Sequence, residues 1–237
     1  MMHEYGTYAE EICFPAEMLA PIPAGTSMEK AAASWMQFLT AYALISVGRI
    51  NAGDFILITA ASSSVGLAAI QIANSRGAIP IAVTRTNAKR DALIAHGAAH
   101  IILSENEDIA ERVLAITGGK GAEIMFDAVG GPTLPPLIDA LAYRGTIILY
   151  GTLAGPVVSL PLVEGMNKGA TLRCFSIRDI LADPDERHRA IAFIQDGIAS
   201  GALDARIDRS FDFAAMREAH VYLEGNMQFG KIVVTVP

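Results

Sequence analysis

Residues 59–73, TAASSSVGLAAIQIA, join an apolar strand-like run to an apolar helix-like run across a serine-rich turn. The strand side is DFILIT (54–59) and the helix side SVGLAAIQIANSR (64–76). A strand feeding a helix through a tight turn makes an anion site, because the helix's first N–H groups have no intrahelical partner. In the three-glycine form of this turn, the first glycine makes the bend and the second lets a phosphate approach. The third lets helix and strand pack closely. Those places fall here on Ala61, Ser63 and Gly66, so only the packing glycine is present. The turn survives if φ stays negative at the substituted positions, and small side chains still admit a phosphate. Ser62, Ser63 and Ser64 add hydroxyl donors, with Ser64 the expected helix cap and Val65 following it.

Outward from this turn, strand-like and helix-like runs alternate. The further strands are IPIAVT (79–84), HIIL (100–103), EIMFDA (123–128), TIILYG (146–151) and ATLRCF (170–175). Between them lie NAKRDALIAH, DIAERVLAIT and TLPPLIDALA, each with helical apolar spacing. The strands are apolar almost throughout rather than alternating, the pattern of strands covered on both faces. Gly77 and Gly97 stand just past helices, where positive φ is wanted. The fold class expected is α/β, a doubly wound parallel sheet of the Rossmann type. The flanks are different. TYAEEICF (7–14) reads as a strand and PAEMLAPIPAG (15–25) as an extended passage. At the other end, DPDERHRAIAFIQDGIAS and AAMREAHVYLE read as helices, with ARIDRSFDF between them and GKIVVTV as a last strand.

Composition sets limits on function. Hydrophobic residues make up 52% of the 237, which supplies a large core. A net charge of −7 argues against broad nucleic-acid binding. The longest apolar runs are strand-sized and broken by Gly, Pro or charge, so none reads as membrane-spanning. MMHEYGTYAE lacks the basic and apolar regions of a signal peptide. Cys13 and Cys174 stand far apart with no CxxC, which fits a reducing, cytoplasmic setting.

The end of the second strand decides the ligand. A site that selects NAD carries Asp or Glu there, about 20 residues past the glycine turn, for the ribose 2′-hydroxyl. This chain has VTRTNAKRD, in which Arg85, Lys89 and Arg90 surround the position and Thr86 and Asn87 add hydrogen-bonding groups. A 2′-phosphate calls for charge-assisted donors of this kind. The bland alternative, a solvated basic turn, is disfavoured because cations at a helix N-terminus oppose its dipole. NADPH is the expected cofactor.

With these pieces in place the chain resembles the medium-chain dehydrogenase/reductase superfamily, in its zinc-free quinone oxidoreductase-like branch. The matching passages are YGTYAEEICFPAEMLAPIP, AAASWMQFLTAYALI, TAASSSVGLAAIQIA, VTRTNAKRDALIAHGAAHIIL, ITGGKGAEIMFDAVGG and QFGKIVVTV, in family order. The resemblance implies a Rossmann domain at 28–200, flanked by remnants of a GroES-like catalytic domain at 1–27 and 201–237. It also implies that most of the N-terminal part of that domain is missing. A reading as a truncated NADPH-binding protein, or a fragment of a longer enzyme, therefore stands beside the enzyme reading. Family correspondence adds Thr40 near the nicotinamide phosphate and Val129 with Gly130 beneath the adenosine. Tyr150, Gly151 and Thr152 fall beside the nicotinamide, and Phe229, Gly230 and Lys231 in a segment closing over the cofactor. Ser104 stands where relatives often carry a tyrosine against the adenine. The activity implied is hydride transfer from NADPH to a quinone or an α,β-unsaturated carbonyl, in a homodimer joined through the sheet edge at 146–175. No residue stands out as a catalytic acid.

Zinc-dependent relatives place a ligand cysteine where this chain has Met36. His96 and His100 are separated by Gly97, and no Cys or carboxylate completes a set, so no metal site is expected. Other classes lack their residues. No tyrosine has Lys four residues on, as a short-chain dehydrogenase requires, and TGGKGAE is not a P-loop. A Rossmann methyltransferase wants an acid where Arg85 stands.

Overall fold

A computed structural model describes residues 6–16, 19–23 and 25–237. The helices are α1 (Met28–Ala41), α2 (Ala43–Ser46), α3 (Ser64–Ser75), α4 (Arg90–Ala95), α5 (Ile109–Ile116), α6 (Leu134–Ala140), α7 (Leu162–Lys168), α8 (Ile177–Leu181), α9 (Pro184–Ala199) and α10 (Met216–Glu224). The strands are β1 (Phe55–Ile58), β2 (Ile79–Thr84), β3 (His100–Leu103), β4 (Ala122–Asp127), β5 (Leu141–Leu149), β6 (Thr171–Cys174), β7 (Ile207–Asp212) and β8 (Lys231–Thr235).

Six strands form one parallel sheet in the order β3-β2-β1-β4-β5-β6. Order reverses between β1 and β4, so a crevice opens beyond the carboxyl ends of these two strands. Both faces are covered, as the unbroken apolar runs require. Ile56, Ile58 and Phe126 pack on one side with Phe38 of α1, Leu67 and Ile70 of α3, and Ile194 of α9. Leu57, Ile81 and Met125 pack on the other with Val113 of α5 and Leu137 of α6. The expected doubly wound sheet is what the chain forms.

Two local differences have physical causes. β5 begins at Leu141, five residues before the expected start, because the chain pairs Leu141 with Ala122 and then shifts register before Thr146. The extra residues are absorbed by Arg144 at φ 61 and by Gly145, whose added Cβ would lie 2.7 Å from the Leu141 side chain. Residues 7–14 form no strand. A strand needs a neighbour for its N–H and C=O groups, and no described strand pairs with this one. Within the extended passage at 15–25, Glu17, Met18 and Ala24 lie outside the described residues, as do residues 1–5.

The C-terminal pieces make a separate parallel pair, β7 with β8. Two contacts tie it to the main sheet's helices. The Lys30 ammonium meets Asp204 and donates to the Ala205 carbonyl at 2.8 Å. The Gln71 amide pairs with both backbone groups of Asp204 at 2.9 Å.

Candidate functional site

The turn after β1 is built more tightly than its serines suggest. Ala60, not a glycine, takes the left-handed conformation at φ 46. Ala61 follows with its N–H donating to the Val83 carbonyl at 3.1 Å, which pins the turn to β2. The cap is Ser63 rather than the expected Ser64: the Ser63 hydroxyl accepts from the Gly66 N–H at 3.1 Å. Ser63 has the extended φ/ψ of a cap (−70, 160), whereas Ser64 is already the first residue of α3. Gly66 is required, since a Cβ there would lie 2.6 Å from both Cα and O of Ala61.

A second turn, at the end of β4, is organised by one buried carboxyl. Asp127 is fully buried and accepts from the Thr59 hydroxyl (2.6 Å), the Val129 N–H (3.1 Å) and the Gly130 N–H (2.9 Å). The Thr59 oxygen in turn accepts from the Ala128 N–H at 3.0 Å. Three consecutive backbone amides are thus satisfied from the ends of β1 and β4. The turn after β5 docks on this one: Tyr150 N–H donates to Asp127 O (2.9 Å), and Ala154 N–H to Val129 O (2.9 Å). Gly151 is needed because a Cβ would lie 2.5 Å from the Ala128 carbonyl.

Tyr150 stacks on Phe126 with ring centroids 4.1 Å apart. Its hydroxyl is buried without a hydrogen-bond partner among the described residues. Burial, with Asp127 nearby, pushes its pKa up, so it stays a neutral phenol. Thr40 is buried in α1, and its hydroxyl donates to Met36 O at 2.7 Å. Thr152 is exposed.

The C-terminal segment lies against the first turn. A parallel bridge pairs Gly230 with Ser63, and Gly230 is at φ 116, where a Cβ would strike the Arg206 carbonyl at 2.5 Å. Phe229 is buried and meets His96 edge-on at 6.2 Å. Lys231 is half-buried, its ammonium has no ion-pair or hydrogen-bond partner among the described residues, and burial lowers its pKa. Such a group gains from a bound anion.

The basic cluster divides. Arg85 and Arg90 are exposed, and their guanidinium groups have no partner among the described residues. Thr86 caps a short 3-10 turn, accepting from the Ala88 N–H at 3.4 Å. Lys89 is engaged elsewhere, donating to the carbonyls of Asn226 and Gln228 and to the Ser62 hydroxyl.

Ser62, Ser63, Gly66, Val129, Gly130, Tyr150 and Gly151 therefore sit on three interlocked turns at the carboxyl ends of β1, β4 and β5, with Arg85 at the end of β2. A cavity of about 510 Å³ lies to one side, touching Ser63, Ser64, Gln228, Gly230 and Lys231. Thr40, Arg85, Val129 and Tyr150 lie outside its lining. Sequence reasoning missed the Thr59–Asp127 lock and the Gln71–Asp204 clamp. The signal for the first, a polar residue at or next to the end of each of two apolar runs, was present in DFILIT and EIMFDA, whereas the clamp joins residues 133 apart and leaves no local pattern.

Among the described residues no three of His, Cys, Asp and Glu gather as metal ligands. His96 Nε2 lies 3.0 Å from the Gln71 amide nitrogen, and burial lowers its pKa.

Residues 64–196 match the family of zinc-binding dehydrogenases. A 2-haloacrylate reductase from a Burkholderia species is 29% identical over 236 residues, which cover 97% of this chain and 70% of that one. A quinone oxidoreductase of Pseudomonas aeruginosa is 31% identical over 231 residues, covering 97% and 71%. The crystal structure of an Escherichia coli quinone oxidoreductase complexed with NADPH superposes with a TM-score of 0.85 at 29% identity. That match covers 93% of this chain and 69% of that one.

Proposed function

The chain belongs to the medium-chain dehydrogenase/reductase superfamily, in its quinone oxidoreductase-like branch, and on that premise we propose that it is an NADPH-dependent reductase of quinones or α,β-unsaturated carbonyls. The observation that carries the reading is the exposed Arg85 guanidinium, unpaired among the described residues, at the end of β2, the strand next to β1. An NAD site has a carboxylate at that place, and a 2′-phosphate needs a cation.

The residues fit the dinucleotide. Gly66, Gly130 and Gly151 let the turns pack on one another's backbone, where a Cβ would lie 2.6 Å from Ala61, 3.3 Å from the Gly151 carbonyl and 2.5 Å from the Ala128 carbonyl respectively. Ser62, Ser63, Ser64 and Val65 open α3 toward a pyrophosphate, helped by the helix dipole and by the uncompensated Lys231 cation. Arg85 and Lys89, with Arg90 and Thr86, receive the 2′-phosphate. Thr40, Tyr150 and Thr152 border the nicotinamide, and Phe229 with Gly230 holds the closing segment. When bound, NADPH supplies a hydride. The chain's own part is to orient the dinucleotide and to shield it from water. The Rossmann portion is assigned to residues 28–200 and the return segment to 201–237. The bounds are supported by the start of α1 at Met28 and the end of α9 at Ala199.

Direct titration should show tighter binding of NADPH than of NADH. Arg85→Ala should remove a charge-assisted contact of about 1.5–3 kcal/mol, weakening NADPH and leaving NADH nearly unchanged. Equal wild-type affinities would overturn the cofactor reading.

Zinc independence rests on Met36 at the position that corresponds to a ligand cysteine. Without a Lewis acid there, alkoxide chemistry is disfavoured, whereas a quinone or enone is electrophilic enough to accept hydride with hydrogen bonds alone. NADPH should be consumed with a small quinone or a 2-enone, and EDTA should not alter the rate. Chelator-sensitive oxidation of a primary alcohol with NADP would reverse this assignment.

The proposed assembly is a homodimer through β6. All four of its residues are exposed, and Leu160, Leu162, Met166 and Leu172 form an apolar flank beside this open edge. Such an edge is ordinarily covered. Light scattering at micromolar concentration should report twice the chain mass, and a monomer counts against it. The proposed setting is cytoplasmic. Among the described residues no helix is long and apolar enough to cross a membrane.

A further inference from the structure

We propose that Gln71 and the neutral imidazole of His96 form a clamp that positions the backbone of 204–206 and 229–231 on the phosphate turn, and that protonation of His96 opens it. The effect on the dinucleotide rests on the reading above, whereas the clamp itself does not. Two backbone groups of one residue fix the orientation of the Gln71 amide. Its Oε1 accepts from the Asp204 N–H and its Nε2 donates to the Asp204 carbonyl, both at 2.9 Å. A flipped amide would set oxygen against oxygen and N–H against N–H. The second hydrogen on Nε2 is then available to His96 Nε2, 3.0 Å away, which must present its lone pair. His96 is therefore neutral, with its proton on Nδ1.

The same ring nitrogen lies 3.2 Å from the Leu67 carbonyl, a contact that an unprotonated Nε2 cannot use. Protonation reverses both contacts. The Nε2–H of the imidazolium donates to the Leu67 carbonyl and meets the Gln71 N–H as donor against donor, so the amide is pushed off its place on Asp204. The groups facing the ring divide. Burial holds the His96 pKa down, the Leu67 carbonyl and the Asp204 carboxylate favour the cation, and Arg206 opposes it. Asp204 is itself paired with the Lys30 ammonium, and Phe229 meets the ring edge-on at 6.2 Å without charge. With the folded-state pKa below the ordinary value of about 6.5, the clamp is fully present above that value and is lost as pH falls through the lowered one.

What the clamp holds leads to the phosphate turn. Two residues past Asp204, the Arg206 carbonyl accepts from the Lys231 N–H at 2.8 Å, and the Arg206 Nε donates to the Phe229 carbonyl at 3.2 Å. The Arg206 guanidinium also lies 4.9 Å from the centre of the Phe229 ring. Between Phe229 and Lys231, Gly230 bridges to Ser63. A proton on His96 thus acts on the turn through Asp204, Arg206 and Gly230, with no contact to a ligand.

The test begins with the ring-nitrogen chemical shifts of the histidines in the full chain. At pH 8, His96 should carry its proton on Nδ1, and a proton on Nε2 overturns the proposal. Amide exchange is then followed in the free protein from pH 8 to pH 5 and expressed as protection relative to the intrinsic rate. Protection of the Asp204 and Lys231 N–H groups should fall about tenfold in the wild type, the scale of one lost hydrogen bond. His96→Gln offers a neutral acceptor at every pH, and His96→Leu removes the titrating group. Both should hold protection constant over that range. A fall in these variants as large as the wild type's, or no fall in the wild type, overturns the proposal. NADPH affinity should weaken more between pH 8 and pH 5 in the wild type than in either variant, a comparison that cancels the titration of the 2′-phosphate itself near about pH 6. Equal weakening overturns the positioning role. If the wild type binds no NADPH at pH 8, the functional reading fails, while the exchange measurement still decides the clamp.

Discussion

Gly66→Ala should destabilise the fold by about 3 kcal/mol or more and weaken dinucleotide binding with it. The added Cβ would lie 2.6 Å from Cα and O of Ala61 and 2.7 Å from the Ala60 carbonyl. These are backbone atoms, so no rotamer change relieves the overlap. Moving the turn is equally restricted, because Ala61 N–H is bonded to Val83 O in β2 and Ser63 is bridged to Gly230. Helix α3 must therefore lift away from β1, and it carries Leu67, Ile70 and Ile72 into the core. An alanine gains about 0.5–1 kcal/mol over glycine inside a helix, which is too little to offset the clash. Urea unfolding of wild type and variant measures the difference. A midpoint unchanged by the substitution would show that the turn can yield, and would remove close packing as the reason for glycine here.

How far the molecule could be read from its sequence depends on the range of the interaction. The parallel sheet was legible because unbroken apolar runs such as IPIAVT and HIIL report burial on both faces within six residues. Gly66 was legible because its function is served within one turn. The cap fell one residue away from its expected place, on Ser63, because three consecutive serines offer the same hydroxyl and only the φ/ψ of the folded turn selects among them. Residues 7–14 have strand composition but no described partner, and pairing is a property of the partner as much as of the segment. The hydrogen bonds of Lys89 to the carbonyls of 226 and 228 span 137 and 139 residues, beyond any local pattern.

Asp127 is the hardest of these residues to see in the sequence, and replacing it should have the largest effect. Asp127→Ala leaves the N–H groups of Val129 and Gly130 and the hydroxyl of Thr59 without acceptors in a site closed to water. Each buried, unsatisfied group costs about 1–3 kcal/mol, so even with partial relaxation the total is on the order of 4 kcal/mol. Asp127→Asn preserves volume and separates charge and acceptor number from packing. Wherever its NH₂ is placed, it faces a donor: the Gly130 N–H on one side, or Thr59 and Val129 on the other. A smaller loss, about 2 kcal/mol, is expected. The functional consequence follows from the backbone. The turn after β5 hangs on Asp127 O and Val129 O through Tyr150 and Ala154, so loosening 127–130 also releases Tyr150, Gly151 and Thr152. Amide exchange should therefore rise at 128–130 and at 150–154 together, with lower affinity for NADPH and NADH alike, since the 2′-phosphate site proposed above lies at the end of β2 and on neither of these turns. Exchange rising at 128–130 alone would mean that the two turns are independent, and that the carboxyl at the end of β4 serves its own loop and not the site as a whole.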